Sequence, residues 1–325
     1  MSQLGVALLG CGFATCLHSR TLRKIEGVRR IYASRDAARA KEYCGRYAGS
    51  GHHGSYEAAI ADPTVDVVLI ATPPATHLPL TQRALAAGKH VIVEKPPYLH
   101  SSVFDEVAGL AAAAGRRVFV AENYFYKPLL SAVRDCIASG VIGDVRLLTI
   151  NALKDQKSAG WRDRPEEAGG GALFEGGIHW VSFMNGLGLT VEDVHGHRPG
   201  PKEGPDRTML AVFRYAEGAV GTLLYSWEIG SPTKGLRLST VYGTAGAITF
   251  ESNGLLLAVR GSKKRLSIPE PTDLLGYRGM FEDFFQAIRT GGKAKYELDL
   301  ARRDLQLVER IYETAATGWD VESGG

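Results

Sequence analysis

The sequence of 325 residues predicts an α/β fold in two parts: a doubly wound parallel sheet first, then an α+β domain with an open, mostly antiparallel sheet. Three observations carry this. The chain opens with a short apolar run, LGVALL, that breaks at a glycine-rich turn and continues with helical spacing. Short apolar runs then alternate with helical segments up to about residue 122. Beyond residue 123, strand-like runs follow one another across Gly and Asn-Gly turns. The expected domains are therefore 1–122 and 123–325.

The first strand, Leu4 to Leu9, leads into GCGFATCLHSRTLRKI, with Leu17, Leu22 and Ile25 at helical spacing. Gly10 and Gly12 hold the first two places of the dinucleotide fingerprint G-x-G-x-x-G/A, and Thr15 holds the third. Gly10 permits the sharp turn; Gly12 lets backbone N–H groups approach a pyrophosphate at the helix N-terminus. Thr15 is expected to hold helix and strand apart and to loosen the turn. The second strand, RRIYAS, ends at Ser34 and Arg35, where an NAD site usually carries a ribose-binding acid. A hydroxyl and a guanidinium suit a 2′-phosphate, so NADP(H) is the expected cofactor. Asp36 reads as the N-cap of the helix DAARAKEY; as a ribose acid it would restore NAD. The third strand, Val65 to Thr72, is nearly all apolar, as strands covered on both faces are. HLPLTQRALAAG, KHVIVEK, SSVFDEVAGLAAAAG and RRVFVAEN continue the alternation. In the second part, PLLSAVRDCIASG reads as a helix. The strand runs are DVRLLTINAL, TMLAVFRYAEGAVGTLLYSWE, LRLSTVYGTAGAITFES and LLLAVRG. MFEDFFQAIRTG and LARRDLQLVERIYETA close the chain as amphipathic helices, and the longest loop is expected from Ser158 to Gly171.

Composition narrows the partners. Lys plus Arg number 38 against 35 for Asp plus Glu, a net charge of +3, too small for an electrostatic grip on nucleic acid or anionic lipid. No apolar stretch approaches the ~18 residues of a membrane span, and no secretory pattern opens the chain. A small-molecule partner and a cytoplasmic location are expected. Cys11, Cys16, Cys44 and Cys136 form neither a disulfide framework nor C-x-x-C pairs. With His18, His52 and His53, three of them could be imagined as metal ligands, but several fall inside the glycine-rich turn, and no metal is expected.

Two places could carry chemistry. VIVEKPP puts Glu94 and Lys95 directly after a buried strand, with Pro96 and Pro97 rigidifying the exit. An ammonium there can hydrogen-bond a substrate oxygen and move a proton as hydride moves; the bland alternative is a solvated lysine. In GGGALFEGGIHWVSFMNGLG, an α-helix would place Glu175 and His179 on one face beside the apolar stripe Phe174, Ile178 and Val181. That makes His179 a candidate acid/base oriented by Glu175, against a surface ion pair as the alternative. Gly176 and Gly177 tip the balance, because a helix rarely tolerates them unless something needs close approach.

The turn GCGFATCLH, TPPATH, GKHVIVEKPP, AENYFYKP, GWRDRPEEAGGGALFEGGIHW and the C-terminal IRTGGKAKYELDLARRDLQLVERIYETA together resemble the Gfo/Idh/MocA oxidoreductases over essentially the whole chain. The resemblance implies an N-terminal Rossmann domain that binds NAD(P), and a C-terminal domain for substrate binding and oligomerisation. It further implies redox chemistry on a sugar, inositol or related polyol, and a homodimer or homotetramer. By motif position it makes Lys95 and His179 the catalytic pair, with Glu175 where Asp is usual. Gly10, Gly12, Phe13, Ala14, Ser34, Arg35, Thr72, Pro73, His77, Glu94 and Lys95 then line the cofactor, joined by Trp161 and Arg162. Tyr126, Lys127, Arg162 and His179 contact substrate. A noncatalytic NAD(P)-binding regulator and an NAD-dependent, redox-neutral glycosidase are the alternative functions within the resemblance.

Overall fold

The computed structural model describes residues 3–157, 159–201, 203–231 and 235–317; Ser158, the expected start of the long loop, lies outside them. The chain divides into two compact units, Met1–Glu122 with Tyr277–Arg302, and Asn123–Gly276 with Arg303–Gly325.

In the first unit, strands β1 (Leu4–Leu9), β2 (Val28–Ala33), β3 (Gly51–His53), β4 (Val67–Ile70), β5 (His90–Val93) and β6 (Val118–Val120) alternate with helices. The helices are α1 (Phe13–Leu22), α2 (Ala37–Arg46), α3 (Tyr56–Ala61), α4 (His77–Ala86) and α5 (Phe104–Ala114). The strands pair in parallel in the order β3-β2-β1-β4-β5-β6, the doubly wound arrangement. Every residue of β1 and β4 is buried, which is why those strands read as unbroken apolar runs. Register then aligns the strand ends. Leu9 stands opposite both Ala33 and Ile70, and Ile70 opposite Val93. Gly10, Ser34, Ala71 and Glu94 therefore leave the sheet in one row, along its carboxyl edge, where ligands of such sheets bind.

The second unit contains α6 (Pro128–Ala138), β7 (Val145–Leu153), the single turn α7 (Pro165–Ala168), and a π-helical turn, Leu173–Gly177, that runs directly into α8 (Ile178–Asn185). Seven strands follow: β8 (Val191–His197), β9 (Thr208–Tyr215), β10 (Val220–Ser226), β11 (Leu238–Gly243), β12 (Gly246–Glu251), β13 (Leu257–Arg260) and β14 (Lys264–Ser267). Their sheet runs β14-β13-β12-β11-β7-β10-β9-β8 and is antiparallel except between β7 and β10. One face is core: Leu148, Ile150, Phe213, Leu223, Val241, Ile248 and Phe250 are buried on it, and Phe183 of α8 packs on Phe250 with ring centroids 5.7 Å apart. Each such side chain contributes roughly 1.5–3 kcal/mol on burial. Across the opposite face, Val212, Thr222, Thr149, Thr240 and Thr249 stand in direct register on five neighbouring strands.

Helices α9 (Tyr277–Thr290) and α10 (Leu298–Thr317) close the fold. Sequence reading puts both in the second part, whereas α9 belongs to the first unit. The reason is aromatic: Phe284 stacks on Phe119 of β6 at 4.6 Å, and Tyr277 and Phe281 meet His18 of α1 edge-on at 5.5 and 5.3 Å. Strands β3, β8 and β14 were not expected. β3 has three residues, β8 interleaves acids and histidines on its outer side, and β14 is an exposed, charged edge.

Candidate active site

The glycine turn is built by sterics. Gly10 has φ +97°, and a Cβ on it would lie 2.5 Å from the Ala71 carbonyl oxygen, so only glycine lets β1 turn here against the end of β4. Gly12 caps α1 without a side-chain hydrogen bond, and a Cβ built on it meets no atom within 4 Å. An open cradle at a helix N-terminus fits the pyrophosphate of a dinucleotide. Phe13 projects beside it, 73% exposed, and Ala14 is half-buried. Thr15 corrects its expectation: fully buried, it donates its hydroxyl to the Gly10 carbonyl at 2.6 Å and closes the turn that it was expected to loosen.

At the end of β2, Asp36 accepts the N–H groups of Ala38 and Arg39 at 2.9 and 3.3 Å, the N-cap that the sequence favoured. Its own N–H donates to the buried Ser34 hydroxyl at 3.1 Å. Arg35 is exposed; burial raises the pKa of the Tyr56 phenol, and the Arg35 guanidinium partly offsets the rise. Arg39 was missed. Burial pushes the Cys11 thiol up to about 11, and the charge of Arg39 is the largest opposing influence.

After β4, the Thr72 hydroxyl bonds that of Thr76 at 2.6 Å, and Pro73 is half-buried. His77 was expected to line the cofactor; it is 1% exposed and works as a clamp. Nε2 lies 2.8 Å from the Thr72 carbonyl oxygen, and Nδ1 lies 3.0 and 3.1 Å from those of Pro96 and Pro97. Burial lowers its pKa, outweighing those carbonyl oxygens, which favour the charged ring. Glu94 is likewise turned inward: one carboxylate oxygen bonds Nε2 of the buried His18 and the other accepts the Lys95 N–H at 3.0 Å. Lys95 itself is half-buried, two residues past β5.

In the second unit, Glu175 and His179 do not share an ordinary α-helix. Glu175 lies in the π turn and His179 in the first turn of α8. The glycines between them explain why. A Cβ at Gly176 would lie 2.1 Å from the Tyr225 hydroxyl, and one at Gly177 2.7 Å from a methyl of Leu173. The close approach inferred from the sequence is thus to Tyr225 of β10. Helices widened to π geometry recur at functional sites. Burial rules out the surface ion pair: Glu175 is 9% exposed and His179 half-buried. Glu175 pairs with Arg162, at 3.0 Å from Nη2 and 3.1 Å from Nε, and Arg162 stacks over Trp161 at 4.5 Å. His179 stacks face to face on Tyr124, centroids 4.3 Å apart and planes 12° apart.

The π turn is fastened at its start by residues that the sequence reading did not single out. Asp206, 3% exposed, accepts the Ala172 N–H on its backbone oxygen at 2.8 Å and the Leu173 N–H on Oδ2 at 2.9 Å. Tyr312 accepts the Phe174 N–H at 3.1 Å and donates to Asp206 Oδ1 at 2.5 Å. Burial raises the pKa of the Asp206 carboxyl. Lys127 also departs from expectation, at 1% exposure, and Tyr126 packs edge-on against Phe125 at 5.6 Å. Among the described residues, no three metal-ligating side chains converge: Cys16 bonds Tyr43, His18 bonds Glu94, and His53 bonds Asp62.

Comparison with known proteins places this architecture. Residues 4–122 match the oxidoreductase family with an NAD-binding Rossmann fold, and residues 130–249 match the GFO/IDH/MocA C-terminal domain. The chain belongs to the Gfo/Idh/MocA oxidoreductase family. Among its relatives, trans-1,2-dihydrobenzene-1,2-diol dehydrogenase of Mus musculus is 29% identical over 82% of this chain and 79% of its own. D-xylose 1-dehydrogenase (NADP(+)) 2 of Haloferax volcanii is 25% identical over 89% and 90%. The fold matches that of the aldose-aldose oxidoreductase from Caulobacter crescentus with a TM-score of 0.86, at 22% identity and 98% coverage of both chains. Family membership makes this chain an NAD(P)-binding oxidoreductase, and among its described residues no helix is long and apolar enough to cross a membrane.

Proposed function

We propose that this oxidoreductase prefers NADP(H) and moves hydride between the nicotinamide and a hydroxyl or keto carbon of a sugar, inositol or related polyol. One observation supports the cofactor choice above others: Asp36 turns Oδ1 to the α2 cap, while Ser34 and Arg35 stand at the end of β2 and Arg39 follows in the first turn of α2. A hydroxyl and two guanidiniums match a 2′-phosphate. The turn at Gly10, Gly12, Phe13 and Ala14 would hold the pyrophosphate, with Thr72, Pro73 and Lys95 further along the same edge. The unit of Met1–Glu122 with Tyr277–Arg302 acts as the NAD(P)-binding domain, and that of Asn123–Gly276 with Arg303–Gly325 as the substrate and oligomer domain.

The nicotinamide, when bound, supplies the hydride acceptor or donor. Lys95 Nζ hydrogen-bonds the substrate oxygen, and His179 exchanges the hydroxyl proton through a ring nitrogen. Glu175, held by Arg162, fixes the charge beside His179, while Trp161 supports the guanidinium. The relatives named for D-xylose and for a trans-1,2-diol support a substrate with adjacent hydroxyls.

Side-by-side fluorescence titration with NADPH and NADH tests the cofactor reading without a substrate. NADPH binds more tightly, and Arg35→Ala weakens NADPH by roughly ten- to hundredfold while sparing NADH; equal losses for both would overturn the assignment. A screen of D-xylose, myo-inositol and trans-1,2-dihydrobenzene-1,2-diol with NADP+ tests the substrate class, and Lys95→Ala and His179→Asn each abolish the turnover found.

A further inference from the structure

Lys127 is among the largest fully buried side chains of the chain, and neither the fold nor the reaction explains a lysine there. Its ammonium lies 3.8 Å from the centre of the Tyr124 ring and 5.6 Å from that of Trp180, and it donates to the Ser252 carbonyl at 3.4 Å. The Tyr124 ring meets the His179 imidazole face to face at 4.3 Å, and Trp180 meets Tyr124 edge-on at 5.2 Å. An ammonium over an aromatic face is attracted by the ring's quadrupole, most strongly when desolvated, as here. The backbone beneath is equally constrained. Tyr126 and Lys127 donate their N–H groups to Asn123 and Tyr124 at 3.1 and 3.2 Å, and the Asn123 amide donates to the Leu275 carbonyl at 2.7 Å.

We propose that Tyr124 is a positioning residue for His179, and that Lys127 holds Tyr124 in place. Stacking fixes the plane of the imidazole and leaves its two nitrogens at the rim of the stack, in the plane where a substrate hydroxyl approaches. Lys127 thus acts on the reaction through the Tyr124 ring, not by contact with substrate. This inference rests on the reading of His179 as the proton carrier.

The test uses the full chain loaded with NADP+ and carrying 13C-labelled histidine, with His179→Asn identifying the His179 signals. A stacked imidazole has its C–H resonances displaced upfield by the neighbouring ring. That displacement persists in Tyr124→Phe, disappears in Tyr124→Leu, and shrinks in Lys127→Met, which keeps the bulk and removes the charge; NADPH binding reports that each variant is folded. On the substrate identified by the screen, Tyr124→Leu lowers kcat by roughly ten- to hundredfold with KM for NADP+ unchanged, and Tyr124→Phe restores it. His179 signals of wild-type position in both Tyr124→Leu and Lys127→Met overturn the stack. Lost displacement with an unchanged kcat overturns the positioning role. Full turnover by His179→Asn overturns the functional reading on which it rests, whatever the spectra show.

Discussion

Single residues here are explained by what each would leave unsatisfied. Gly10 combines φ +97° with a carbonyl oxygen 2.5 Å from where a Cβ would sit. Gly10→Ala is therefore expected to cost about 1–3 kcal/mol in urea unfolding and to weaken NADPH binding. The pair Arg162–Glu175 behaves asymmetrically. Arg162→Met strands a carboxylate that is 9% exposed, whereas Glu175→Gln leaves a guanidinium that can reach water. The first should destabilise by about 1–3 kcal/mol, the second by less, and the double variant should recover part of the loss; equal single losses in urea unfolding would contradict this. The fingerprint glycines, the Asp36 cap and the closeness demanded by Gly176 were legible in the sequence, because each is a local backbone requirement. The inward turn of His77, Glu94 and Lys127 was not, since each has a partner 19 or more residues away in the chain.

At the level of elements, β5 makes a pH prediction. His90 Nδ1 accepts the Arg117 N–H at 3.1 Å, so the ring must be neutral there. Burial first, and then the charges of Arg116 and Arg117, lower its pKa from 6.5 to about 4. A histidine lowered in the folded state contributes stability that is present above pH 6.5 and is lost as pH falls toward 4. The thermal midpoint should decline across that window, and His90→Gln, which can still accept the N–H, should flatten the decline. Its partial exposure makes the effect smaller than the full shift implies. The helix carrying Glu175 and His179 shows the limit of periodicity. Spacing indicates a helix, but the i→i+5 widening depends on Asp206, Tyr312 and Tyr225, which lie 30 or more residues away in sequence from Glu175.

For the whole molecule, the open face of the second sheet is the feature to explain. Leu147 lies opposite both Val220 and Tyr242, and these side chains are 56%, 39% and 46% exposed beside the threonine row. A broad face of this kind fits a second copy of the chain, as proposed for the oligomer domain. Leu147→Lys with Val220→Lys should shift the protein to a smaller species in light scattering without weakening NADPH titration; unchanged mass would exclude this face as the contact.

What the sequence determined by itself was the α/β class, the parallel and then mostly antiparallel pair of sheets, and the glycine turn of the dinucleotide fold. Those follow from periodicity, from glycine's backbone freedom and from short motifs, all of which act within a few residues. Only the tertiary structure decided that α9 joins the first unit, that Thr15 closes its turn and that Tyr124 stacks on His179, with Lys127 and Trp180 beside it. Thr15 reaches only five residues back to Gly10; the others join segments distant in the chain, and burial, rather than local propensity, selects them.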